Sequence, residues 1–158
     1  MLVISDCSTI TNLIQIGELS ILEKLFKEII IPEKVYEELA IFEKQKDQIE
    51  DLDWIVVSSV LNQSAVLTLS EVLDPGEAEA IVLAEELKAD FLIIDERKGR
   101  RVAEEPGIKI VSLLGILIQA KKVGHISQLK PLLDKLIHNI GFRVRSRLYN
   151  WILSQAEE

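Results

Sequence analysis

The amino-acid sequence predicts an α/β fold: three layers, α/β/α, around a central, mostly parallel sheet of about five strands. Two observations predict it. Five short runs rich in Val, Ile or aromatic residues, Leu2–Ser5, Ile29–Ile31, Trp54–Val57, Phe91–Ile94 and Lys109–Val111, are too short for helices and read as buried strands. Stretches with apolar residues at helical spacing lie between them. Strands that alternate with helices build parallel sheets, joined by right-handed crossovers and covered on both faces.

The elements follow in order. The first run ends at Asp6, and Ser8 is the expected N-cap of a helix over Thr9–Ile16. A helical pattern resumes after Gly17, over Glu18–Phe26. Pro32 stops the second run and opens a helix whose apolar face is Val35, Leu39 and Phe42, with Glu38 beside that face. Asp74-Pro75-Gly76-Glu77 reads as a cap and first turn, followed by Ala78, Ile81 and Val82. Glu96–Glu104 reads as a polar, basic helix ended by Pro106-Gly107, and Ser112 opens another that runs to about Lys122. Two last helices, Ser127–His138 and Phe142–Ser154, are separated by Gly141. Nothing repeats, and no linker is long enough to divide the chain. A single domain over residues 1–158 is expected, with a core over 1–120 and C-terminal helices over 125–154.

Composition excludes several classes. Of 158 residues 48% are apolar, so a sizeable core can be buried. One cysteine, Cys7, excludes an intrachain disulfide framework and most thiolate metal sites. The longest apolar run, Val111–Ile118, is broken by Ser112 and Gly115 and falls well short of the roughly 20 residues a membrane-spanning helix needs. The opening MLVISDC carries no basic segment and meets Asp6 too early for a signal peptide, so a soluble cytoplasmic chain with no membrane partner is expected. Net charge is −8, but it is polarised: residues 1–118 carry 11 Lys/Arg and 23 Asp/Glu, residues 119–158 carry 7 and 3. Such a chain can hold cations at one place and phosphates at another.

In open parallel sheets the functional crevice lies beyond the carboxyl ends of the strands. Asp6 and Asp95 directly follow the first and fourth runs. Glu38 and Glu77 lie on the helices opened by Pro32 and Pro75. Carboxylates gathered at one place repel one another unless a cation neutralises them, and hard oxygen ligands select Mg²⁺ or Mn²⁺. His125 and His138 stand alone, so there is no zinc set. Glu79, two residues beyond Glu77, projects from another side of the helix and is expected at the surface.

These residues resemble the PIN-domain ribonucleases, in particular the small prokaryotic branch related to the toxins of toxin–antitoxin pairs. The match runs over about residues 1–120: a strand ending in Asp6-Cys7-Ser8, a helix with Pro32, Val35, Glu38 and Leu39, the acid Glu77 with Ala84 seven residues on, and a strand ending in Asp95. The resemblance implies a PIN-like fold and a metal-dependent endoribonuclease. Asp6, Glu38, Glu77 and Asp95 would line one pocket holding one or two Mg²⁺ or Mn²⁺, and Ser8 would orient a carboxylate or water. It also implies an antitoxin partner. The chain departs from the commoner pattern at Glu77, where Asp is more usual, and at Ile93, where Thr or Ser usually stands.

Arg97, Lys98, Arg100 and Arg101 follow Asp95 at once and are the candidate contacts to the phosphates of single-stranded or structured RNA. Arg143 and Arg147, with Arg145 between them, would share a helical face near the C-terminus. The apolar surface of Thr9–Leu25 exceeds what one sheet face needs, which suggests a homodimer. The competing function is a catalytically weak PIN-like module that binds RNA or a protein without cutting, motivated by Glu77 and Ile93. A phosphoacceptor receiver domain would need a Lys after the fifth strand, and SLLGILIQ has none.

Overall fold

The protein is described by a computed structural model that covers all 158 residues. Five strands, β1 (Val3–Ser5), β2 (Ile29–Pro32), β3 (Ile55–Ser58), β4 (Phe91–Ile93) and β5 (Ile110–Val111), form one all-parallel sheet in the order β3-β2-β1-β4-β5. They are the five runs that composition singles out. One detail differs: β3 is an edge strand, and Val56 and Val57 stay exposed rather than buried.

Successive residues of a strand face opposite ways, and the core divides accordingly. Val3 and Ile93 point to one apolar cluster, Ile4 and Leu92 to the other. The first cluster gathers residues of α1 (Cys7–Gln15), α2 (Ser20–Phe26), α3 (Glu33–Ala40), α4 (Glu43–Glu50) and α8 (Leu113–Lys122). It also takes in α9 (Lys130–Lys135), the π-helical turn Leu136–Ile140 that continues it, and α10 (Ser146–Gln155). The second is built from α5 (Gln63–Leu69), α6 (Pro75–Glu86) and α7 (Arg97–Glu104). Helices therefore cover both faces of the sheet, and α3 touches both α1 and α6.

Burial explains what local pattern does not. In α6 the nine residues Gly76–Ala84 are all buried, because the helix is enclosed by the sheet, α3, α5 and α7. Glu79 is therefore 9% exposed, against the expectation of a surface acid; it lies beside Glu33, Lys34 and Glu37 of α3. The apolar surplus of α1 and α2 is spent inside the chain: Ile10, Leu13, Ile16, Ile21 and Leu22 are buried in one cluster with Leu129, Leu133, Leu136 and Ile152. Phe42 is exposed instead of completing the face of Val35 and Leu39, because α3 ends at Ala40 and Phe42 caps α4.

The sheet order reverses direction between β1 and β4. The chain moves outward from β1 through β2 to β3, then returns to the other side of β1 for β4 and β5. The ends of β1 and β4 flank the switch point, where open α/β sheets leave a crevice.

Candidate active site

Two carboxylates arrive at the switch point from adjacent strands. Ser5 and Ile93 are in register, and the amide of Asp6 donates to the Ile93 carbonyl at 3.0 Å, so Asp6 and Asp95 emerge side by side. Asp6 is still extended when α1 begins, so it caps that helix: its Oδ1 accepts from Thr9 N–H at 3.3 Å. Ser8, the expected cap, lies within the first turn, and its hydroxyl donates to Asp6 Oδ2 at 3.1 Å. Asp95 is turned toward two helices. Its Oδ1 accepts from Leu113 N–H at 3.0 Å and its Oδ2 from the Thr9 hydroxyl at 3.1 Å.

The other acids come from the facing helices. Asp74 caps α6 and accepts from Glu77 N–H at 2.9 Å. Glu38 of α3 accepts from Gly76 N–H at 3.2 Å. Asp6, Glu38 and Glu77 line a crevice of about 230 Å³, together with Cys7, Ser8, Thr11 and Asn12. Asp74 and Glu96 complete its wall, and the sequence reading missed both. Asp95 is the one expected acid outside that lining. A much larger cavity, about 610 Å³ and mostly apolar, lies elsewhere, between α2, α8 and the β5 edge, and none of these acids reaches it.

The electrostatics are one-sided. No Lys, Arg or His lines the crevice, and the salt bridges Lys34–Glu37, Lys121–Glu158 and Lys130–Asp134 involve none of its acids. Burial, and next the charge of Asp95, push the Asp6 carboxyl up to about 7. Burial, reinforced by Asp74 and Glu96, holds Glu77 far above the carboxylate range. Burial and then Asp74 raise Glu38, and the Gly76 amide pulls it back. Burial raises Asp95, offset in turn by Leu113, Thr9 and the charge of Arg100.

The donor set fits a hard divalent cation. Oxygens of Asp74, Glu77 and Glu96 lie within 4.8 Å of one another. Glu77 is 6% exposed, and its Oε2 receives no hydrogen bond. Such a site offers oxygen only, as Mg²⁺ or Mn²⁺ prefers. Cys7 does not soften it: burial pushes its thiol up to about 11, so it stays protonated.

Directly beyond Asp95, α7 presents Arg97, Lys98, Arg100 and Arg101 to solvent and tucks Gly99 inward. Arg97, Arg100 and Arg101 form a basic notch with Glu104. The second basic group is not arranged as expected. Gly141 takes a left-handed backbone with φ of 80° and ends the preceding helix, and α10 starts only at Ser146. Arg143 therefore shares no helical face with Arg147, although both are exposed.

The DUF3368 family model, described as a PIN domain, matches residues 2–158. No curated protein matches the chain.

Proposed function

The chain belongs to the PIN-domain family, and on that premise we propose that it is a metal-dependent endoribonuclease. One observation carries the reading: five carboxylates meet at the switch point with no cationic side chain among them, and one of their buried oxygens has no donor. Such a cluster is costly unless a cation enters it.

Asp6, Glu38, Glu77 and Asp95 are the residues proposed to hold one or two Mg²⁺ or Mn²⁺. A divalent ion bound there supplies charge neutralisation at the phosphate and a water of lowered pKa. The protein supplies position. Ser8 and Thr9 fix the Asp6 carboxylate, and the Gly76 amide holds Glu38. Asp95 joins β4 to α1 and α8, so it sets the distance between the strand ends and the helices that frame the crevice. Arg97, Lys98, Arg100 and Arg101 would bind phosphates of the RNA on the rim, keeping the strand over the acids.

A toxin role with an antitoxin partner, which the resemblance in the sequence supports, completes the proposal, together with a cytoplasmic location and a homodimer. Any dimer must use a face other than the buried side of α1 and α2. A second reading is favoured by one observation: both oxygens of Asp95 are engaged within the chain, which suits a module that binds RNA without cutting it. Incubating the pure protein with single-stranded RNA separates the two. Cleavage with Mg²⁺ or Mn²⁺ that stops on chelation supports the nuclease; retention of intact RNA under both conditions supports the binding module.

A further inference from the structure

We propose that the large apolar cavity between α2, α8 and the β5 edge is a binding site for a small amphipathic anion, an apolar chain or ring that carries one negatively charged head. The site stands apart from the acidic crevice, and the nuclease reading does not depend on it.

The cavity forms where the sheet stops. β5 is the last strand on its side and has two residues, Ile110 and Val111. α2 ends at Phe26, and the chain runs on into β2. Between these ends and α8 the fold leaves about 610 Å³. Clefts that enclose a small organic ligand measure about 300–1,000 Å³. Leu25, Phe26, Phe91, Ile110 and Val111 form much of the wall, and each packs on the core yet stays only half-buried. Large apolar side chains left half-covered around one hollow suit an apolar ligand body.

Gly115 shapes the wall on the α8 side. It stands in the first turn of that helix, where glycine costs stability relative to alanine. Apart from its chain neighbours, a Cβ there would meet Ser112 Oγ at 3.3 Å and no other side chain within 4 Å. Packing against the core therefore does not demand the glycine. Its missing side chain leaves space in the cavity that it lines.

Charge selects the head. The chain has 26 Asp/Glu against 18 Lys/Arg, yet no Asp or Glu lines this cavity, and its ionisable side chains are Lys24 and His125. Lys24 is exposed and takes part in none of the salt bridges. A cationic ligand would be repelled by Lys24, and a neutral one would leave it unanswered. An anion gains a charge-assisted hydrogen bond from it. Lysine is a point charge on a flexible stem and recognises carboxylate or phosphate alike. RNA is a poor occupant, since a nucleic-acid track needs a run of cations along the backbone.

The test is a titration of the full chain with anilinonaphthalene sulfonate, an aromatic anion that fluoresces on entering an apolar site. The wild type should bind one probe. Decanoate and decyl phosphate, below their micelle concentrations, should displace it, and decanol should do so at least about ten-fold more weakly. Whichever anion competes better identifies the head. Gly115→Leu should fill the cavity and lose the probe with its circular dichroism unchanged, since leucine favours helix. Lys24→Gln, at an exposed position, should weaken decanoate at least about ten-fold and leave decanol as it was. Wild-type probe affinity in Gly115→Leu would overturn the proposal, as would equal competition by decanoate and decanol, or a wild type that binds no probe. Sedimentation run in parallel identifies the other occupant: a probe-free wild-type dimer that Gly115→Leu splits would show that a second copy covers the cavity.

Discussion

Gly76 and Glu38 fit together so closely that any side chain at Gly76 must displace the Glu38 carboxylate. The Gly76 amide donates to Glu38 Oε1 at 3.2 Å, and a Cβ on Gly76 would lie 2.5 Å from Oε2 of the same carboxylate. The contact joins α3 to the first turn of α6 across the mouth of the crevice.

Gly76→Ala should therefore displace Glu38 while sparing the fold. The clash is with the far end of a flexible side chain, which can swing away at little cost. RNA cleavage and Mn²⁺ affinity should each fall roughly 10- to 100-fold, with the melting temperature nearly unchanged. Full activity in Gly76→Ala would show that Glu38 acts from another rotamer or not at all.

Asp6 gives the metal-free protein a pH dependence with a definite sign. Its carboxyl is raised by burial, and next by Asp95, from 3.8 to about 7. The folded state thus binds the proton more tightly than the unfolded chain. That stability is fully present below about pH 4 and is lost as pH rises through about 7. The shift is worth on the order of 4 kcal/mol at most. Asn mimics the protonated form. Chelated Asp6→Asn should melt above chelated wild type at about pH 8, by a smaller margin at about pH 5, and close to it only near about pH 4. An equal difference at about pH 8 and about pH 4 would contradict the raised carboxyl.

Legibility followed how local each signal was. The strands could be read because each is a compact β-branched run. The caps Asp74 and Ser112 could be read because cap residues sit directly before helical patterns, and both make the expected bonds. Two helices were missed. In α4, Glu43–Glu50, only Gln45 and Ile49 are buried; in α5, Gln63–Leu69, only Val66 is. Neither displays an apolar period, although Asn62, which caps α5 through Ala65 N–H, was an available signal. Asp74 and Glu96 escaped notice for a different reason. A cap explains Asp74 completely, and an exposed acid after a strand explains Glu96; only the packing of α6 against α7 brings them to Glu77. Glu79 shows the converse, since the enclosure of α6 by four neighbours cannot be seen in its spacing.

Salt should report how the RNA is held. Each phosphate contact on a single strand contributes about −0.7 to the slope of log K against log salt. Arg100→Ala with Arg101→Ala should reduce that slope by about one to two units. Arg143→Ala with Arg147→Ala should change it by less than about one unit, because Arg143 stands outside α10 and the two share no face. Equal changes from both pairs would place the C-terminal arginines on the RNA track.

The most direct test is the rate at which Asp6→Asn cleaves single-stranded RNA with saturating Mg²⁺ or Mn²⁺, beside wild type and with folding checked by circular dichroism. The substitution keeps volume and the acceptor for Thr9 N–H, and removes the charge at the end of β1. The account predicts a folded protein whose cleavage is lost, by at least about a hundred-fold. A folded Asp6→Asn protein that cleaves RNA at the wild-type rate would contradict it.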